Sequence, residues 1–108
     1  MSSTTVTRGN AHETFYIGPT LTPAAVTGSS SNQTFNLPGL QLSDEVIMIG
    51  LNGTQTAGIA YAELDVTAPN TLQIQFINTS GASATPVSGQ YVMAVTRIEG
   101  SPLPVNAA

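Results

Sequence analysis

Residues 71–78 read TLQIQFIN, and this stretch decides the fold because its polar and apolar side chains alternate from Thr71 to Phe76. A period of two residues is typical of a half-buried β-strand. Three apolar side chains of the stretch share one face of such a strand: Leu72, Ile74 and Phe76. The glutamines, Gln73 and Gln75, share the other face. The sequence therefore predicts a strand here with one face in a core.

Segments on both sides of this stretch predict further strands, and Gly and Pro separate them. The predicted strands are 14–17, 21–27, 33–37, 45–51, 58–67, 71–78 and 90–98. In 90–98 we expect Tyr91, Met93 and Val95 to share one face. The segment 45–51 is almost continuously apolar, so we expect it to be covered on both faces. Asn52-Gly53, a tight-turn dipeptide, predicts a hairpin from 45–51 to the next strand.

The alternation in 58–67 predicts two faces for that strand. The first face carries Ala60, Ala62, Leu64 and Val66, and the second carries Ile59, Tyr61, Glu63 and Asp65. Turns are predicted at Pro38-Gly39 and at 68–70, and a loop at Thr79–Gly89.

Seven or eight short strands within about 90 residues, with almost no helix signal, predict an all-β chain. We expect a single-domain antiparallel β-sandwich, in the form of a jelly-roll or another Greek key. The predicted organisation is a flexible N-terminal arm at 1–12, the sandwich domain at 13–98 and a C-terminal tail at 99–108.

The chain is almost uncharged, since only 7% of its residues are Asp, Glu, Lys or Arg, against roughly a quarter in an ordinary domain. Ser, Thr, Asn and Gln make up 38 of 108 residues instead. Nucleic-acid binding needs clustered cations, and the net charge here is -4 with two arginines, so we exclude that class. A neutral polar surface can be buried against a partner without dehydrating ions. The composition therefore favours assembly or binding over chemistry.

Membrane insertion and secretion are not expected. No run approaches the roughly 18–20 apolar residues of a membrane span, and the polar N-terminus lacks the apolar region of a secretory signal. With no cysteine in the chain, disulfides and thiolate metal sites are excluded.

Two acidic pairs and one histidine are the candidates for chemistry. Asp44-Glu45 and Glu63/Asp65 offer carboxylates for a hard cation or for acid–base work, but neither matches a calcium loop, and a solvated face is the commoner use. His12 lies at the end of a polar arm without a nucleophile motif. We predict no catalytic, cofactor-binding or metal-binding residues.

Three further sets of residues suggest binding or modification. Glycosylation sequons begin at Asn32, Asn52 and Asn78, and chance occurrence explains them in a chain so rich in Asn and Thr. The tyrosines, Tyr16, Tyr61 and Tyr91, suggest either a sugar-stacking platform or core packing, and core packing is commoner. The arm 1–12 and the loop Thr79–Gly89 are uncharged segments that either order on a partner or are simply disordered.

Four segments carry a resemblance to a known family: 34–40 (TFNLPGL), 44–49 (DEVIMI), 66–78 (VTAPNTLQIQFIN) and 88–97 (SGQYVMAVTR). In this order they resemble small virion proteins of tailed bacteriophages, in particular capsid cement (decoration) proteins. The resemblance implies a capsid cement protein or a related head or tail component. For a cement protein it implies a β-sandwich, often a jelly-roll, made in the host cytoplasm and bound to the outer capsid surface. It also implies a homotrimer that clamps neighbouring subunits of the major capsid protein, with no catalytic residues.

Two other functions stay open from the sequence. One is a carbohydrate- or receptor-binding module of a phage fibre or tail, which needs an exposed aromatic platform. The other is a small hydrolase, which rests on His12 and the carboxylates alone.

Overall fold

The structure, a computed structural model, describes residues 12–98. It contains seven β-strands: β1 (His12–Ile17), β2 (Thr20–Leu21), β3 (Ser30–Asn36), β4 (Glu45–Leu51), β5 (Ile59–Ala68), β6 (Thr71–Asn78) and β7 (Gly89–Ile98). They form two antiparallel sheets packed face to face, which confirms the predicted all-β sandwich. Strand β1 begins at His12, one residue before the predicted start of the domain, and the rest of the predicted arm and the tail 99–108 lie outside the described residues.

Strand β7 is the centre of the first sheet. Its Val95 pairs with Phe15 of β1 on one edge and with Val46 of β4 on the other. Strand β2 pairs with the beginning of β7, just beyond the point where Tyr91 N donates to Pro19 O at 2.9 Å. Because β1 and β2 thus lie end to end along one edge, this sheet is three strands wide.

Strand β6 is the centre of the second sheet, between β3 and β5. Its Gln73 pairs with Thr34 of β3 and with Asp65 of β5. Strand β6 occupies the residues predicted for it, and Leu72, Ile74 and Phe76 are buried on one face as predicted, followed on that face by the buried Asn78.

The core lies between the two central strands. Six of its side chains, three from each central strand, have no exposed surface: Leu72, Ile74, Phe76, Tyr91, Met93 and Val95. Side chains of the flanking strands pack around this cluster. The inward face predicted for the last strand is therefore confirmed.

The predicted hairpin after β4 is wrong. Strand β4 belongs to the first sheet and β5 to the second, so the chain crosses between the sheets at Asn52-Gly53. The turn bends the chain without pairing its flanking strands, since Asn52 N donates to Gln90 O of β7 at 2.9 Å. The jelly-roll form calls for eight strands, and the described residues supply seven, so that form stays a prediction.

Strand β5 contains an irregularity that reverses part of the predicted face assignment. Tyr61 pairs with Phe76 while Leu64 pairs with Ile74, so three steps along β5 match two along β6. Such a β-bulge adds one residue to one strand and shifts its side-chain alternation. As a result Ile59 and Tyr61 pack against the same core as Leu64 and Val66. The uninterrupted alternation predicts these two pairs on opposite faces, so this part of the prediction is wrong.

The predicted strand at 21–27 is also shorter than expected. Only Thr20 and Leu21 pair with β7, and Pro23 follows without the N–H that a ladder needs. Val26 then forms an isolated bridge with Ala84, with Val26 N donating to Ala84 O at 2.8 Å.

Two predicted turns, Pro38-Gly39 and the β5–β6 turn, are confirmed and lie against each other. Asn70 adopts a positive φ of 66°, a conformation that asparagine tolerates better than most residues. Its Oδ1 accepts from Gly39 N at 2.8 Å, and its own N–H donates to Leu40 O at 2.9 Å. These bonds hold both turns at one end of the sandwich.

Candidate functional site

The outer face of the first sheet carries a row of apolar side chains. In one register Tyr16 of β1, Ala94 of β7 and Ile47 of β4 lie side by side, and all three point away from the core. Ile49 and Val92 extend the row towards the bulge that β4 forms between Met48 and Gly50. We call these five residues, Tyr16, Ile47, Ile49, Val92 and Ala94, the apolar outer face.

Three members of the apolar outer face are exposed to an unusual degree. Tyr16 is 69% exposed, Ile47 61% and Ile49 49%. Burying an isoleucine side chain completely stabilises a protein by about 1.5–3 kcal/mol. Covering the exposed part of Ile47 alone would therefore contribute roughly 1–2 kcal/mol of further stabilisation. The expectation that 45–51 is covered on both faces is not met within residues 12–98, because only Val46, Met48 and Leu51 pack inward.

Charge is nearly absent from this face. Among the side chains that the structure describes, one on this face is formally charged, and it is Glu45, which lies beside Thr96. Thr14 shares that register on the other side, and its Oγ1 lies 3.3 Å from Thr96 Oγ1. The face is therefore apolar at its centre and polar at this end, as in many protein interfaces.

The outer face of the second sheet has the opposite character. Most of its cross-strand neighbours are amides and hydroxyls: Asn32 with Gln75, Thr34 with Gln73, and Asn36 with Thr71. Ile77, between Ser30 and Ala60, is the large apolar residue of β6 on this face. Asp65 adds a carboxylate next to Gln73. Water forms hydrogen bonds with such groups, so this face needs no partner. Burial of the apolar outer face would gain more free energy than burial of this polar face.

A buried ion pair holds one end of the sandwich together. Arg97 donates from Nε to Asp44 Oδ1 at 2.9 Å and from Nη2 to Asp44 Oδ2 at 2.7 Å, and Asp44 Oδ2 also accepts from Gln41 N at 2.9 Å. The Arg97 guanidinium is the main reason that the pKa of Asp44 lies below its usual value, and burial opposes it. Arg97 also donates to Gly39 O at 2.9 Å and lies 5.2 Å from the centre of the Phe15 ring. This carboxylate therefore joins the loop before β4 to the end of β7.

A glutamine holds the other end. Gln55 donates from Nε2 to Tyr61 Oη at 2.9 Å and to Tyr91 Oη at 3.1 Å, and its Oε1 accepts from Val87 N at 2.7 Å and Thr56 N at 2.9 Å. Tyr91 in turn donates to Val87 O at 2.6 Å. Burial raises the pKa of Tyr91, so the phenol stays a donor. No sequence motif singles out Gln55, since its role depends on two loops meeting in space.

The predicted acidic pairs do not form a site. Asp44 is bound to Arg97, whereas its neighbour Glu45 is exposed at the end of the apolar outer face. Glu63 and Asp65 are both exposed on β5. Within residues 12–98, no three His, Cys, Asp or Glu residues lie close enough together to hold a metal ion.

The tyrosines do not form a platform. Tyr91 is fully buried and Tyr61 half-buried, and their rings meet edge to face with centroids 6.1 Å apart. Tyr61 also packs against Phe76 at 5.9 Å. Tyr16 alone of the three is exposed, and its neighbours on that face are aliphatic.

The sequons differ in accessibility. Asn32 and Asn52 are exposed, whereas Asn78 is 7% exposed and its amide is fully used. Asn78 Nδ2 donates to Val26 O at 3.0 Å and to Ala82 O at 2.7 Å, and its Oδ1 accepts from Ser80 N and Oγ at 2.9 and 2.7 Å. Asn78 is thus a structural residue that fixes the predicted loop at 79–89.

No protein-family model, curated protein or solved structure matches the chain. In the part of the chain that the structure describes, no helix is long and apolar enough to span a membrane. The apolar outer face is therefore the feature of the described residues from which a function is argued.

Proposed function

We propose that the protein is a non-enzymatic structural component of a bacteriophage virion. In this role it binds the outer surface of the capsid, associates with further copies of itself and stabilises contacts between major capsid subunits. The apolar outer face is the observation that carries the proposal, because an exposed apolar surface gains free energy when it is covered, and contact with another protein is a common way to cover it.

The composition of the rest of the surface supports the same role. Among the described residues the formal charges are five carboxylates and Arg97, and Arg97 and Asp44 are used in their own ion pair. Broad areas of the surface therefore carry only hydroxyls and amides, which cost less to dehydrate than ions. Such a surface can lie against several neighbours at once.

Many copies on one shell would make weak contacts sufficient. Each contact holds its neighbours at a high effective concentration, so attachment over the whole shell exceeds the affinity of any single contact. A durable coat then needs no large interface per copy. The three-fold association and the family membership remain predictions of the resemblance.

The carbohydrate-binding alternative finds little support in the geometry. A sugar platform requires exposed aromatic rings, and Tyr61 and Tyr91 are used in the core. A sugar-binding role would therefore rest on Tyr16 alone.

Co-sedimentation with capsid shells tests the proposal. Purified full-length protein is mixed with shells that lack it, and the shells are pelleted and assayed for bound protein and for resistance to heat. We expect saturable binding and a higher disruption temperature. Protein that stays in the supernatant at every concentration would overturn the proposal.

A deletion of residues 1–11 then locates the binding energy, since β1 begins at His12. We expect weaker attachment with an unchanged circular dichroism spectrum, and a deletion of 99–108 serves as the matched control. Full attachment after deletion of the arm would assign the contact to the sandwich itself.

A further inference from the structure

We propose that the apolar outer face is a self-association surface, on which the same face of a second copy packs through a two-fold axis. The inference rests on the proposed assembly role and names the partner of this one surface. Three features of the molecule favour a second copy as that partner: the distribution of charge, the area of the sheet and the contrast between the two outer faces.

The charge distribution favours a second copy. Glu45, the formally charged residue among the described side chains of this face, is the first residue of the edge strand β4, so its carboxylate lies at a corner of the sheet and can stay in water when two faces meet at their centres. Central contacts would then be Tyr16, Ile47 and Ala94 of one copy against the same residues of the other. Ala94 is small and only 6% exposed between these two larger side chains, so Tyr16 and Ile47 would supply most of the contact.

The area also fits a small but specific contact. Three strand positions about 4.8 Å apart and the ten residues of β7 at about 3.3 Å each give a sheet of roughly 14 by 33 Å, on the order of 500 Å². Two copies in contact over the whole outer face of the sheet, its polar end included, would cover on the order of 1,000 Å² in total, the lower limit for a specific interface. We therefore expect association that is weak in dilute solution and complete at the local concentrations of a shell.

The contrast between the outer faces favours the two-fold arrangement. A head-to-tail ring would place the apolar outer face against a different surface of the next copy, and the other sheet presents the amides and hydroxyls of Asn32, Thr34 and Gln75. Isologous packing instead places apolar side chains against apolar side chains. This differs from the trimer that the phage resemblance implies, so the mass of the assembly separates the two.

Sedimentation equilibrium of the full chain tests the inference, over concentrations from about 1 µM to about 1 mM, the range expected for a contact of this size. We expect a reversible monomer–dimer equilibrium. I47K places a charge at the centre of the face and should weaken association at least tenfold. T34K is the matched control, because it places the same charge on the exposed edge strand of the polar sheet, and it should leave association unchanged.

Folding is checked independently by circular dichroism and thermal unfolding of both variants. Y16S, which removes the aromatic ring without adding charge, should also weaken association. A single cysteine gives a second readout in this cysteine-free chain: I47C should form a dimer with a short bismaleimide reaching roughly 10 Å, the spacing of packed sheets, and T34C should not.

Other results would overturn the inference. These are a monomer across the whole range, a trimer, or equal weakening by I47K and T34K. Association that appears only after deletion of 99–108 would mean that the tail covers the face within one copy. A monomer whose binding to shells is lost in I47K would assign the face to the capsid, which would refute self-association while supporting the proposed function.

Discussion

Replacing Asp44 with asparagine should destabilise the protein by about 3 kcal/mol. Both carboxylate oxygens accept hydrogen bonds, Oδ1 from Arg97 and Oδ2 from Arg97 and Gln41. An asparagine NH₂ group would therefore face a donor in either orientation. Removing one partner of a buried ion pair costs about 3–5 kcal/mol. The lower end applies here, because the Arg97 side chain is 20% exposed and keeps its bond to Gly39 O.

The change is measurable by heat or urea. In a domain of this size each kcal/mol moves Tm by about 4–8 °C, so D44N should melt roughly 12–24 °C below the wild type. E45Q is the matched control, because it neutralises the adjacent, exposed carboxylate and should change stability by no more than about 0.5 kcal/mol. Unfolding is followed by far-ultraviolet circular dichroism and tyrosine fluorescence.

A double-mutant cycle separates the ion pair from other effects of the substitution. With R97M in the background, D44N removes no bond to a guanidinium, so the double variant should lose less stability than the sum of the two single losses. Equal melting temperatures for D44N and E45Q, or strict additivity in the cycle, would refute the reasoning.

Three further outcomes follow from the same contacts. The pKa of Asp44 is lower in the folded state than its ordinary value of about 4, so the ionised carboxylate stabilises the fold above about pH 4 and this stabilisation is lost as pH falls through the folded-state pKa. The urea midpoint of the wild type should therefore drop more steeply below about pH 4 than that of D44N, and parallel curves would contradict this. Q55L should cost about 2–3 kcal/mol, because Tyr61 and Val87 lose partners within a half-buried cluster, and an unchanged urea midpoint would disprove that role. N78A should speed amide hydrogen exchange across 79–88 at least tenfold, since it removes the bonds from Asn78 to Val26 O and to Ala82 O within the loop, and unchanged exchange would show that the loop is held by other contacts.

Alternation predicted the centre of the fold well. Leu72, Ile74 and Phe76 lie in the core as expected, and so do Tyr91 and Met93. These strands are central in their sheets and regular, so local period and tertiary burial agree. The candidate site was harder to predict, because its residues come from three strands that only the sheet register brings together.

Two features of the fold, the bulge in β5 and the turn at Asn52-Gly53, differ from the sequence predictions for physical reasons. The bulge in β5 inverts the alternation between Tyr61 and Leu64, and the letters of the segment carry no mark of the added residue. Asn52-Gly53 looks like a hairpin turn, yet β4 is paired with β7. Turn residues specify a change of direction, and the competition among all strands decides the pairing.

The sequence by itself determined that this protein is an all-β sandwich with an almost uncharged surface, because composition and period-two alternation are local properties. Only the tertiary structure decided which apolar residues are covered. Ile47 and Val46 are neighbours on one strand with similar side chains, and β4 buries Val46 while it exposes Ile47. The reason is that the second sheet packs against one face of β7 and β4, and residues 12–98 supply no third layer for the other.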